Sequence, residues 1–458
     1  MSEQELPKNC KMSEDEIQDV LANIKITPAE KLFYGYIKQG CITVETMMET
    51  GNLDAPKRLK IRELEEEEKK KDEAAWNEAD NKKDLIAYHN YLNIYPNGIY
   101  SNLAKARIKE IKKIEGDKAI EKEKLLEDIK NRPNDFTPYQ INTLIRDGKI
   151  SETDLLNKGF DEEIVKAIQT LKEPTLRLGE VPSEIAPGFT EVYFWGMPSS
   201  GKTCALSGIL SHANKKGLLE TKSGEGFHYM NQLKNIFSRE IGFLPSATNV
   251  EKTQYLPFHL KDDAGKKHPI ALIELAGEIF KCFYKIEGKI ELDHHLLNTI
   301  NTVQKYLNGS NRKVHFFVVD LDRDPTEIDG DSVSQEDYLY AAQIYFTANK
   351  IFEKSTDAIY IIATKSDTLK CSPQEQEDKS EELLMLNYPS FIETLKDVCE
   401  DKKNGLSKLK FIPFSMGEVY FNKICRFNPS SSAEIIEILQ LKTGKIQKKS
   451  WLINFLNR

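Results

Sequence analysis

The sequence predicts an α/β region, with a mostly parallel sheet and helices on both faces, carried behind an all-helical region. Three observations predict it. Residues up to about 170 are rich in charge and helical periodicity, with few β-branched runs. Downstream, short apolar runs alternate with longer helical patterns, as a helix-covered sheet requires. Between the two lies LKEPTLRLGEVPSEIAPGFT, Leu171 to Thr190, whose three prolines and two glycines mark a linker over residues 173–189.

Composition sets the outer bounds. A chain of 458 residues exceeds one ordinary core, and 40% apolar with 30% charged residues describes a globular protein of two or more domains. A formal charge of −8 argues against nucleic acid as the main partner. The start, MSEQELPKNC, lacks the basic and apolar character of a secretory signal, and no apolar run approaches the roughly 20 residues that span a bilayer. A cytoplasmic protein with no membrane span is therefore expected. Seven cysteines, scattered and without a CxxC pair, suit reduced and packed thiols.

The helical half contains a repeat. IKQGCITVETMMETG, Ile37 to Gly51, aligns without a gap to IRDGKISETDLLNKG, Ile145 to Gly159. In both copies a glycine ends one helix and a Thr or Ser shortly after it caps the next, while a Thr-Pro pair (Thr27-Pro28, Thr137-Pro138) opens the leading helix. Residues 1–62 and 121–172 thus read as two copies of one helical module. Residues 63–120 lie between them. There Trp76, Ala79, Leu85, Tyr88, Leu92, Ala104 and Ile108 fall at helical spacing and Tyr95-Pro96-Asn97-Gly98 interrupts it, so the segment resembles a single tetratricopeptide-like hairpin. It packs for its own sake or offers a Tyr-rich face to a protein partner.

Residues 190–458 carry the chemistry. FWGMPSSGKT, Phe194 to Thr203, sits between the strand-like EVYFW and the helix-like CALSGIL, the context of a phosphate-binding loop. Glycines let the backbone N–H groups turn inward around phosphates, while the following helix aims its positive end at the same anion. Gly196, Pro198, Ser199, Ser200, Gly201, Lys202, Thr203 and Cys204 are the contacting candidates. Lys202 would reach the β and γ phosphates, and Thr203 would give its hydroxyl to Mg²⁺.

IYIIATKSD, Ile359 to Asp367, is a buried-strand run ending in Thr364-Lys365-Ser366-Asp367. A carboxylate there accepts from both the N1–H and the 2-amino group of guanine, which adenine cannot match, and the stem of Lys365 can cover the base. With these residues the chain resembles the Ras-like GTPases of the translation-factor class, whose base motif is Asn or Thr, Lys, any residue, Asp. The resemblance covers about residues 190–430 and implies GTP/GDP and Mg²⁺ as ligands, with hydrolysis of GTP to GDP and phosphate.

The resemblance extends to further positions. Glu274-Leu275-Ala276-Gly277-Glu278 looks like the family's Asp-x-x-Gly segment, in which the acid reaches Mg²⁺ and the glycine N–H senses the γ phosphate. Glu274 replaces the aspartate, and Glu278 stands where many relatives carry the water-orienting glutamine, so slow hydrolysis is expected, with Glu278 polarising water. Ser415-Met416-Gly417 follows another strand as the last base-contacting loop does. FLPSATNVEKTQYLPFHL offers Thr248 or Thr253 as the threonine that closes over Mg²⁺; Thr248 is favoured because Thr253 lies almost inside the presumed edge strand YLPFHL. As a whole the chain looks like a bacterial multidomain GTPase of signalling or conflict type, whose helical modules dock protein partners.

Two rivals stay open. VHFFVVDLDRD ends a strand with Asp320, which would serve as the metal-site acid of a phosphate-loop ATPase. Alternatively the protein binds nucleotide without cleaving it. Calcium at Asp320, Asp322 and Asp324 is excluded, since Pro325 stands where the turn glycine belongs. Asp293-His294-His295 lacks a further His or Cys at ligand spacing and reads as a surface helix pair rather than a metal site, and KTGKIQKKSWLINFLNR as a closing helix packed on the sheet that can also touch a membrane surface.

Overall fold

In a computed structural model of the protein, the residues described are 55–177, 181–245, 253–329, 332–352, 355–401 and 406–444. The first repeat copy, Thr248 and the stretch beyond Gly444 lie outside them. The chain divides into two compact units, Met1–Leu125 and Leu126–Arg458.

The first unit contains α1 (Ala55–Lys82), α2 (Leu85–Ile94) and the start of α3 (Ser101–Asn131). Trp76 stacks on Tyr100 at 5.3 Å and meets Tyr88 and Tyr91 at 5.7 and 5.6 Å. Asp72 is buried in this aromatic cluster because it accepts from Tyr91 Oη at 2.5 Å and from Ile99 N at 2.6 Å, which satisfies an otherwise costly charge.

The second unit opens with the second module: α4 (Pro138–Arg146), α5 (Glu152–Asn157) and α6 (Glu162–Thr170). Thr137 and Ser151 cap α4 and α5 through capping boxes with Gln140 and Asp154. Gly148 and Gly159 take left-handed φ values of 68° and 94°, as chain reversals after helices require.

A seven-stranded sheet follows. Its centre is β1 (Thr190–Trp195), flanked by β5 (Lys267–Glu274) and β6 (Arg312–Asp320), then β7 (Thr356–Thr364) and β8 (Lys410–Phe414), all parallel. On the other side β4 (Gln254–Lys261) pairs antiparallel with β5, and β2 (Leu219–Thr221) antiparallel with β4. YLPFHL is therefore not an edge strand, because β2 covers it. That pairing stops at Phe258, one residue short of Pro257, which has no N–H to give.

Alternate residues of β1 feed two cores. Val192 and Phe194 join Leu206 of α7 (Lys202–Lys215) and Ile435 of α14 (Ser430–Gly444), while Tyr193 and Trp195 join Phe283 of α9 (Ile279–Glu287) and Phe346 of α11 (Gln335–Ala348). Burial on both faces explains the unbroken apolar runs of the central strands. Gln376–Asn387 and Pro389–Glu400 are also helical and supply Leu384, Phe391 and Leu395 to the second core.

A smaller antiparallel sheet orders β3 (Ile241–Phe243), β10 (Ile424–Phe427) and β9 (Gly417–Tyr420). The second module meets it directly. Arg426 pairs with Asp161 at 3.0 Å, Phe421 stacks on Phe160 at 5.4 Å, and Asn422 N donates to Asn134 Oδ1 at 3.0 Å. Residues 126–171 thus belong to the compact unit of the sheet, although the proline-rich composition break falls after them.

Candidate functional site

β1 ends at Trp195, and the chain turns through Gly196–Gly201 into α7. Ser199 and Gly201 both take left-handed φ values, 62° and 88°. Mixing left- and right-handed residues gathers backbone N–H groups into a concavity suited to an anion, and the α7 N-terminus adds its dipole. Lys202 is buried, donating Nζ to Gly196 O at 2.6 Å and to Met197 O at 2.9 Å. Burial pushes its pKa down to about 8, against the opposing pull of Glu274 and Glu278.

Thr203 and Glu274 meet across the turn. Thr203 Oγ1 donates to Glu274 Oε1 at 2.6 Å, and Glu274 is only 1% exposed. The other carboxylate oxygen accepts from Tyr229 Oη at 2.6 Å, from α8 (Phe227–Asn235). Burial and the charge of Glu274 raise the Tyr229 phenol well above its ordinary pKa, so it stays a donor. Gln254 lies opposite Glu274 in the β4–β5 register, and Thr253 just before it holds a buried hydroxyl without a hydrogen-bond partner among the described residues. Ser200 Oγ is likewise buried and unpartnered among them.

Gly277 lies against the turn. A Cβ there would stand 2.6 Å from Pro198 N and 2.7 Å from its ring, so any side chain would force the two segments apart. Glu278 precedes α9, and its Oε2 is buried without a partner among the described residues. On the carbonyl of the same proline, Arg323 Nη1 donates at 3.1 Å.

The base-motif residues reach the same end of the sheet. Thr364 Oγ1 contacts Ser200 O at 2.8 Å and Val319 O at 3.1 Å, linking the end of β7 to the turn. Lys365 takes a left-handed φ of 58°, and its ammonium sits 2.9 Å from Asp320 and 3.4 Å from Asp322. Burial lowers its pKa, but the hydrogen bond and charge of Asp320 outweigh this and leave it raised. Asp320 is thus engaged by Lys365, whereas the acid on the Thr203 hydroxyl is Glu274.

Asp367 follows in a short 3₁₀ turn with its side chain exposed. Burial pushes the Cys425 thiol up to about 12, with the charges of Cys204 and Asp367 adding to the effect. Cys425 Sγ donates to Met416 O at 3.5 Å, and Ser415 Oγ accepts from Gly417 N at 3.1 Å. The Ser415–Met416 turn is thus held against Cys425 of β10.

No family model and no curated protein matches the chain. Among solved structures it is similar to nucleolar GTP-binding protein 1 from Plasmodium falciparum, at 13% identity and a TM-score of 0.24, over 59% of this chain and 97% of that one. It is also similar to the SRb-GTP/SRX complex of the signal recognition particle receptor from Chaetomium thermophilum, at 11% identity and 0.26, over 51% and 94%. A third is the S. cerevisiae Ski7 GTPase-like domain bound to GTP, at 16% identity and 0.29, over 57% of this chain and 51% of that one.

Proposed function

We propose that residues 190–444 bind a guanine nucleotide with Mg²⁺ and hydrolyse GTP slowly, as a switch. The observation that carries this reading is the 2.8 Å contact of Thr364 Oγ1 with Ser200 O, which joins the Asp367 segment to the phosphate turn. The turn N–H groups and Lys202 would hold the phosphates, with Asp367 accepting from the guanine N1–H and 2-amino groups.

The donor set fits Mg²⁺: a hydroxyl and a carboxylate, hard oxygens already in contact. Thr203 and Glu274 would hold the ion, which supplies charge neutralisation at the phosphate oxygens. Of the two threonines considered for closing over the ion, Thr248 lies outside the described residues, and Thr253 keeps a buried hydroxyl without a partner among them. Glu278 has an acceptor oxygen buried near Lys202 that would orient the attacking water.

The ATPase reading has less support, because Asp320 is occupied by Lys365. The helical modules are proposed to dock protein partners. Ile86, Ile94 and Ile99 are exposed around the first unit's hairpin, and the second module rests on β10.

Titration of the full chain with GTP, ATP and XTP tests the base. Wild type should prefer GTP, and Asp367→Asn should weaken GTP binding and improve XTP binding, because the amide donates to the 2-keto group. An unchanged preference removes Asp367 from the site.

A further inference from the structure

Hydrolysis of a phosphate anhydride builds charge on the terminal phosphoryl oxygens, and an arginine fork is well suited to meet it. Arg323 is fixed beside the phosphate turn by a loop with little freedom. Leu321 N donates to Thr364 O at 3.2 Å, Asp322 N to Asp320 Oδ1 at 3.0 Å, and Lys365 bridges Asp320 and Asp322. From that loop Arg323 Nη1 reaches Pro198 O, while Nε is buried without a hydrogen bond and lies 3.5 Å from the mostly exposed Glu327 carboxylate. Pro198 is also the residue against which Gly277 packs. The arginine and the Gly277-Glu278 segment therefore converge on one residue of the turn.

We infer that Arg323 is an arginine supplied by this chain to the terminal phosphate of bound GTP, a role that rests on the guanine-nucleotide reading of the site. In the step, water oxygen bonds to the γ phosphorus as the bond to the β–γ bridging oxygen breaks. The bridging oxygen leaves with the electron pair on GDP, and the water proton passes to the released phosphate. Arg323 stabilises charge on the transferring group and exchanges no proton, since guanidinium stays charged. To meet the terminal phosphate the guanidinium has to leave the Pro198 carbonyl.

The test compares full-length wild type, Arg323→Ala and Arg323→Lys in single-turnover GTP hydrolysis, GDP affinity and capture of GDP with aluminium fluoride. Arg323→Ala should slow hydrolysis by about 10²-fold or more and lose fluoride-dependent capture, with GDP affinity within about threefold of wild type. Arg323→Lys keeps the charge without the fork and should fall between. Equal hydrolysis in wild type and Arg323→Ala overturns the inference and leaves the nucleotide reading standing. A GDP affinity lowered more than tenfold by Arg323→Ala and restored by Arg323→Lys assigns the side chain to propping the turn, and overturns it too. Wild type that binds GDP but never hydrolyses GTP overturns it as well, and wild type that binds no guanine nucleotide overturns the reading beneath it.

Discussion

Tyr229 donates its hydroxyl to Glu274 at 2.6 Å, so the acid of the candidate metal site is braced by a helix inserted between α7 and β3. A glutamate reaches one methylene farther than an aspartate, and the tyrosine directs that extra reach by engaging one oxygen while Thr203 engages the other. Tyr229→Phe keeps the ring and leaves a buried carboxylate oxygen without its donor. The expected cost is about 1–3 kcal/mol of stability in the nucleotide-free protein, read by urea denaturation. The Mg²⁺ concentration needed for half-maximal nucleotide retention should also change, which a purely structural tyrosine would not cause.

Lys202 gives a pH dependence with a definite sign. Its pKa in the fold is about 8, below the ordinary 10.5. Between those values the unfolded chain binds the proton and the folded chain has released it, so the Lys202 contribution to stability rises with pH across that window. Below it the full cost of burying the ammonium is present. Urea denaturation from pH 7.5 to 10 should show a rising component in wild type that Lys202→Met lacks.

Triphosphate binding should show the opposite trend. An anion in the turn favours the charged amine, so binding takes up a proton and affinity falls as pH rises above about 8. Isothermal titration in buffers of different ionisation enthalpy measures that uptake directly.

Thr364 and Asp367 should separate affinity from selectivity. Thr364→Val removes the hydroxyl that contacts Ser200 O while keeping the shape. It should weaken GTP and ITP alike by about 1–2 kcal/mol, leaving their ratio unchanged. Asp367→Asn should alter that ratio.

Gly277→Ala places a methyl group 2.6 Å from Pro198 N, closer than real Cβ contacts come. Backbone on both sides leaves no flexible atom to yield, so the segment must lift from the turn, at about 1–3 kcal/mol. The expected readout is GTP affinity reduced more than GDP affinity.

The parts of this architecture with a local cause were legible in the sequence. The β1 turn and α7 declare themselves through glycine spacing beside an apolar strand, and Thr137, Ser151, Gly148 and Gly159 mark the ends of helices because caps and reversals depend on near neighbours. What depends on distant pairing was hidden. Tyr229 sits in FHYMNQLKN, an ordinary amphipathic pattern, and its partner is 45 residues away. Arg323 reads as one charge in a polar loop until the turn is folded against it. The strands of the small sheet are three or four residues long, too short for alternation to register. Without that sheet, nothing in residues 126–171 announces that they pack with the α/β elements that follow.

That small sheet makes a yoke. β3 and β9, the latter following the Ser415–Met416 turn, are both harnessed to β10. Phe237, just beyond the Tyr229 helix, stacks on Phe427 of the same crossbar at 4.9 Å, and Asp161 grips it through Arg426. Through the Asp161–Arg426 pair the helical module is thus tied to one strand that carries both its neighbours, and a load placed on that strand is shared by β3 and β9.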